Sequence, residues 1–462
     1  MNIHRPTRSL IGAMLVVALV GVATIASAQT VGEQAKSLKL VPEDAAAYGA
    51  MLNNKDIFDN VVNSKAYAKI AEMEEIAPLL AMAQEQWDGA TAEPAVKAIV
   101  DTLLDGLSNE VFFYADASYF RLMKIYQKAN AQGSLLSALE GAEDPDGMAQ
   151  LRGILDILSD HAGDLETPKM VIGLRVKDPQ AAQGLVGLVK LSLAAQLAEM
   201  EMADALVEEE VGGVKLVTVK LNGGMIPWEQ VPTDELSGEE GKYDPLIAKL
   251  KEMTLAISVG VKDEFMLISV GPTSELIGTL GSDGGLGSRP ELAKLEELNG
   301  KKLASITYSS KEAAELNMEA AMAPLASLAG LIPLMMADAD DATRKQIEAD
   351  VAEFTKDMSG QIPAPGAMLS ASTFSPRGFD SVTYNWTENK ALDGSKPLSL
   401  LDHLGGSPIM YYAARGKQDP AQYDLLVKWL KKVDGYIAQM AEQEAEGAKY
   451  KKFRAEIDPL LA

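Results

Sequence analysis

No cysteine occurs anywhere in the 462 residues. Disulfide stapling, thiol catalysis, zinc fingers and iron-sulfur clusters all depend on that side chain, so none is open to this chain. Histidine is nearly as scarce: His4, His161 and His403 stand far apart and form no paired ligand motif. Aromatic residues make up 6% of the chain, and its 42 Lys plus Arg are outnumbered by 66 Asp plus Glu, for a formal charge of -24. A protein this acidic is repelled by phosphate backbones and anionic headgroups, so we expect no nucleic-acid partner. The hydrophobic fraction of 47% and charged fraction of 23% are those of a folded chain.

What is present begins with a secretory pattern. Arg5 and Arg8 precede an apolar stretch from Leu10 to Ile25, and Ala26-Ser27-Ala28 supplies the small residues that signal peptidases read. We therefore expect residues 1–28 to be a signal peptide cleaved before Gln29. That would leave about 430 residues with a charge near -26, exported to the periplasm or beyond and without a stable membrane span. Packing alone must then stabilise the mature protein.

Along the chain, short β-prone runs are each followed by a helix-capping residue and a long stretch rich in Ala, Leu and Met. Such runs fall at Ala46 to Leu52, Val111 to Ala115, Met170 to Val176, Leu303 to Tyr308 and Ile409 to Ala414. Asp178-Pro179 and Asp419-Pro420 place an acid at the N-cap before a proline at the first helical position, and Ser309 with Glu312 reads as a capping box. After Asp178, three-and-four spacing from Leu185 through Leu188, Leu197 and Met200 to Val207 predicts one long helix. Alternation predicts a hairpin over Met253 to Gly271, another over Ala367 to Trp386, and a strand over Val214 to Leu221.

The fold expected is α+β: repeated modules of antiparallel sheet with long amphipathic helices on one face and a helix-rich N-terminal part. The divisions are 1–28 for the signal, 29–165 for the helix-rich unit, 166–300 for a strand-helix-strand-hairpin module and 301–462 for a second related module ending in a long helix. The runs Pro168 to Pro179, Gly213-Val214-Lys215, Asp263 to Ser269 and Leu303 to Tyr308, with the opening Leu40 to Ala46, resemble a family of exported bacterial proteins known as a domain of unknown function. That resemblance implies fold and export, and brings no catalytic residues.

Signatures of catalysis are missing. The sequence holds no Gly-x-Ser-x-Gly, Ser-x-x-Lys, Walker loop or His-Glu-x-x-His. His161, between Asp160 and Asp164, is better read as a solvated helix-end histidine than as a base. The run Gly281 to Gly287 lacks the phosphate-loop order and reads as a connector. Asp144-Pro145-Asp146-Gly147 and Asp338-Ala339-Asp340-Asp341 place oxygen ligands at alternate positions without the closing Glu of a calcium loop. No catalytic, cofactor or metal residues are assigned, and weak calcium binding is left open.

Two segments suggest binding instead. Asn222 to Asp244 is a long loop holding Met225, Ile226 and Trp228, the kind of connection that carries function; an exposed Trp228 would anchor a partner, and the alternative is that it folds back as a plug between modules. The uncharged stretch Ala320 to Met336, ending in Met335-Met336, is too short and too proline-broken to span a bilayer; it reads first as a buried helical hairpin, and the sharper alternative is a Met-rich groove for an apolar ligand or partner helix. We expect a non-catalytic binding or scaffold module for a protein partner or a hydrophobic ligand in the envelope. The alternatives are a periplasmic carrier of lipid, a structural envelope protein and a hydrolase using carboxylates.

Overall fold

The computed structural model describes residues 29–140, 148–322 and 341–443, apart from 232, 283, 377, 390, 404, 407–411 and 418, and also describes 452, 454 and 455. The expected signal peptide, both calcium-like acid clusters except Asp341, and Met335 and Met336 lie outside these residues.

Ten strands form one antiparallel sheet: β1 (Ala47–Met51), β2 (Val111–Ala115), β3 (Met170–Arg175), β4 (Leu206–Val211), β5 (Val214–Asn222), β6 (Thr254–Lys262), β7 (Phe265–Gly271), β8 (Leu303–Ser309), β9 (Met368–Ser375) and β10 (Gly378–Asn385). Their spatial order is β10-β9-β8-β1-β2-β3-β7-β6-β5-β4. The protein is thus α+β, and strands from all three predicted intervals join a common sheet, with β1 between β2 and β8 at its centre.

Alternation along the strands sorts their side chains onto two faces. One face presents Tyr48, Ala50, Phe112, Tyr114, Val171, Leu267, Leu216, Ile306 and Leu369, all buried in the main core. An N-terminal arm covers this face, made of the helical turn Val31–Gln34 and the 3₁₀ turn Lys36–Lys39, whose Val31, Leu38, Leu40 and Val41 enter the same core. Phe112 packs edge to face on Phe265 with centroids 5.4 Å apart. Room for its ring comes from Gly173, the residue opposite it on β3: a Cβ there would lie 2.0 Å from Phe112 Cε1.

Two of the helices that follow cover the opposite face. Between β1 and β2 run α1 (Asn54–Val62), α2 (Lys65–Ala71), α3 (Ala77–Ala90) and α4 (Pro94–Ser108). Helices α5 (Ala117–Glu140), α6 (Met148–Asp160) and α7 (Pro179–Glu199) follow. Ile99 and Leu103 of α4 and Ala182 and Leu185 of α7 pack over Val176 and Met266, while Val186 of α7 packs on Val217 and Val259. Farther along come α8 (Asp244–Glu252), α9 (Lys311–Ala321), α10 (Asp341–Gln361) and α11 (Pro420–Gln443). A separate apolar cluster joins Ile125 of α5, Ala162, Leu165 and Leu246 of α8.

The predicted caps hold with one shift. Asp178 accepts from the Gln180 and Ala181 amides, and Asp419 accepts from Ala421 N. At the start of α9 the cap is Ser310 rather than Ser309, because β8 runs one residue further, and Ser310 Oγ accepts from Ala313 N at 3.1 Å.

Two predicted elements need larger corrections. The helix after Asp178 ends at Glu199, where Glu201 turns with a positive φ, and Leu206 to Val211 form β4, joined to β5 through Gly212 and Gly213, both at positive φ. The helix faces inward through Ala182, Leu185, Val186 and Leu197, leaving Leu188 and Met200 outside. The strand expected at Ile409 to Ala414 does not form over its described part: Tyr412 to Ala414 are irregular and Tyr412 is 91% exposed. There the chain is tied locally, with the Arg415 guanidinium donating to the carbonyls of Lys396 and Pro397, each at 2.7 Å.

Candidate partner-binding surface

The loop after β5 is better ordered than its length suggests. Asn222 caps a 3₁₀ turn, Gly223–Met225, by accepting from Gly224 N at 2.7 Å. Gly223 lies flat against the end of α8, where a Cβ would fall 1.8 Å from the Leu250 carbonyl, and its amide donates to Met253 O at 3.0 Å. A second turn, Trp228–Gln230, folds back so that the indole Nε1 donates to Gly223 O at 2.8 Å. The short helix Thr233–Ser237 follows.

This bracing decides how the three predicted residues stand. Trp228 is half-buried, its polar edge used inside the loop, so it serves as the strut of the turn. Met225 and Ile226, held between the strut and the Asn222 cap, are 50% and 47% exposed. Their side chains form a small fixed apolar platform.

A larger surface was not singled out in the sequence. Helices α1, α2 and α3 contain no buried residue, while Phe58, Val61, Ile70, Leu79 and Met82 on them are each about half exposed. Phe58 with Val61, and Leu79 with Met82, are i, i+3 pairs that share a helix face. Covering the exposed half of such a side chain gains about 0.7–1.5 kcal/mol, so these helices carry unspent apolar surface. Their sequence signal is faint, because Ala-rich helices with scattered Met and Leu look alike whether they sit inside or outside.

The polar features read from the sequence take structural places. His161 Nδ1 lies 3.2 Å from Asp164 Oδ2 beside a cleft of about 510 Å³ lined by Arg121, Lys124, Glu166 and Lys249. Arg121 bonds Glu166 and Glu312, and Lys124 bonds Glu319 at 2.9 Å. His403 is exposed at the end of the 3₁₀ helix Ser399–His403. The glycine run is a clamp on the N-terminal arm: Gly281 N donates to Leu40 O at 2.8 Å and Leu286 N to Val41 O at 2.7 Å. Gly285, at positive φ, passes so near the arm that a Cβ would meet Leu38 O at 2.7 Å. Among the described residues no group of three His, Cys, Asp or Glu side chains is placed to hold a metal ion.

The most buried carboxylate also acts on the arm. Glu110, 2% exposed at the start of β2, accepts from Lys36 N and Ser37 N, each at 3.0 Å, and from Ser37 Oγ. Burial pushes its pKa up, against the pull of those bonds and of the nearby Arg175. Neighbouring Glu264 bonds both Lys36, at 2.6 Å, and Arg175, at 2.7 Å; those partners outweigh its own burial and hold it below the usual carboxylate range. The same burial, with the Glu110 charge near it, raises the Tyr48 phenol. These contacts fix the arm and leave the carboxylate no access to a substrate.

One described helix, α7, is long and apolar enough to cross a membrane, and in this fold it lies on the sheet. The fold defines the class, an α+β protein with a ten-stranded antiparallel sheet and exposed apolar helices. Comparison with protein-family models, with curated proteins and with solved structures finds no match to this chain.

Proposed function

We propose that this is an exported envelope protein that works by binding a protein partner, as a non-catalytic scaffold. The observation that carries this reading is the apolar surface of α1 to α3, three consecutive helices with no buried residue; Met225 and Ile226 form a second, separate exposed apolar spot. Large apolar side chains held outward concentrate binding energy when a partner covers them, and on the braced loop of Met225 and Ile226 little ordering is lost in doing so. Export is supported by the basic, apolar and Ala-x-Ala pattern of residues 1–28 and by the resemblance of the strand edges to exported bacterial proteins. The strong negative charge suits a protein that stays clear of anionic lipid while offering apolar contacts.

Native mass spectrometry of the protein, purified gently from its own envelope extract, tests this. The expected result is a bound polypeptide mass that disappears in a Phe58→Ser/Leu79→Ser variant or a Met225→Ser/Ile226→Ser variant whose circular dichroism is unchanged. A bare chain, or a bound mass indifferent to both variants, overturns the reading.

A further inference from the structure

The two edges of the sheet are built differently. At one end β4 is six residues long and presents Glu208, Glu209 and Glu210, with Glu208 paired to Lys190 and Glu209 to Lys220. Charge and shortness are the usual guards against unwanted strand addition. At the other end β10 is eight residues long, contains no proline, and carries a single charge, Asp380. Its residues are mostly exposed.

The hydrogen-bond parity of this edge follows from its hairpin. Ser375 pairs with Gly378, Trp386 N donates to Ala367 O at 2.9 Å, and Phe374 N donates away from β10 to Lys302 O at 2.9 Å. The even-numbered residues of β10 therefore bond to β9, and the amides and carbonyls of Phe379, Ser381, Thr383 and Asn385 point outward. Among the described residues those outward groups have no partner.

We propose that β10 is a self-pairing edge, along which a second copy of this chain adds antiparallel across a two-fold axis to continue the sheet. An antiparallel pair related by such an axis keeps its faces, so each residue must oppose one of the same parity. One register uses all four outward residues: Phe379 opposite Asn385, Ser381 opposite Thr383, and Val382 opposite itself on the axis. This makes about eight inter-strand hydrogen bonds.

The side chains agree with that register. Within the chain, Ser372 bonds Ser381 at 2.7 Å and Ser370 bonds Thr383 at 2.8 Å, two hydroxyl rows running to the edge. Placing Ser381 opposite Thr383 of the second copy joins each row to the other and extends a hydroxyl ladder across the axis. Asp380 falls opposite Tyr384 of the second copy rather than another acid. That ring has Lys294 5.6 Å from its centroid, and Glu297 accepts its hydroxyl at 2.7 Å. On the same face as Asp380 and Tyr384, and opposite the hydroxyl rows, Val382 meets Val382, beside Ala371.

The absence of cysteine makes the register directly testable. In a non-hydrogen-bonded antiparallel pair the Cα atoms lie about 4.5 Å apart, within disulfide range. Val382→Cys, introduced into the otherwise intact chain from Gln29 onward and mildly oxidised, is expected to give a covalent dimer. Ser381→Cys, whose counterpart is Thr383, is expected to give none. Sedimentation velocity of the unaltered chain should show a concentration-dependent dimer, and Ser381→Pro, which removes an outward amide that an edge strand can lose, should weaken it about tenfold or more. Monomer at every concentration, a dimer indifferent to Ser381→Pro with circular dichroism unchanged, or crosslinking through position 381 instead of 382 would overturn the proposal. Binding of an extended peptide to a strictly monomeric chain would also overturn it.

Discussion

Replacing Glu110 by Gln should release the N-terminal arm before it unfolds the sheet. The carboxylate uses both oxygens: one accepts from Ser37 N and Oγ, the other from Lys36 N. An amide can serve only the first set, and its NH₂ then faces the Lys36 N–H, donor to donor. One charge-assisted bond is lost and two are weakened, at about 1.5–3 kcal/mol per bond, partly offset because a buried charge is no longer desolvated. We expect a net loss of about 1.5–3 kcal/mol in urea unfolding at pH 7, and faster amide exchange over residues 31–41. The pH dependence gives a second check. Burial raises the Glu110 pKa above 4.5, so its ionisation opposes folding, and this contribution to stability declines as pH climbs from 4.5 through the raised value. The Gln variant has no such decline, and its gap from the unaltered protein should narrow over that window. A loss below about 0.5 kcal/mol with unchanged exchange in the arm would refute the reasoning.

Two further outcomes are expected. Gly173→Ala drives a methyl into the buried Phe112 ring and should cost about 1–3 kcal/mol in thermal or urea unfolding, and a neutral result would show that the ring can yield. Asp350 accepts from Lys432 at 2.7 Å, Tyr436 and Gln346, and although burial alone would raise it, these bonds hold it below 3.8, while the Tyr436 phenol is pushed up to about 12. A depressed carboxylate stabilises above its free pKa and loses that contribution as pH falls through the lowered value, so exchange over residues 420–436 should rise only below pH 3.8. Asp350→Asn should reproduce that rise at neutral pH, and no change there would show that the other links, Lys428 and Lys432 to Glu353, Lys428 and Trp429 to Asp357, and the Phe354 to Trp429 contact, hold α11 without it.

Much of the sheet could be read from alternation. Alternation gives β2 residue for residue, β1, β3, β5 and β8 within a residue or two, and the spans of the β6–β7 and β9–β10 hairpins, because each of these strands has a face against the core. β4 escaped because Glu208-Glu209-Glu210 gives an edge strand no apolar rhythm, and because Leu197, Met200 and Val207 continue a helical spacing that the chain abandons at Glu201. Pairing partners were out of reach: nothing local shows that Ala47 lies between Ala115 and Ser309. Of the candidate site, Met225, Ile226 and Trp228 could be named from a long loop with large apolar residues, but the indole bond that makes Trp228 a strut depends on the fold of Gly223. The bare faces of α1 to α3 were invisible because helical periodicity reports which residues share a side, and cannot report whether that side is covered.

The arm that closes one face of the sheet also sets the order in which the protein can become itself. Gln34 bonds the amide of Leu303, 269 residues later, and β1 gains its second neighbour only with β8. At synthesis rates of 5–20 residues per second, the arm waits roughly 15 to 50 s for the partners that bury it. Until then β1 has only β2 to pair with, and Gln34 lacks the Leu303 amide it will hold. A protein arranged this way delays its own completion until β8 has been made.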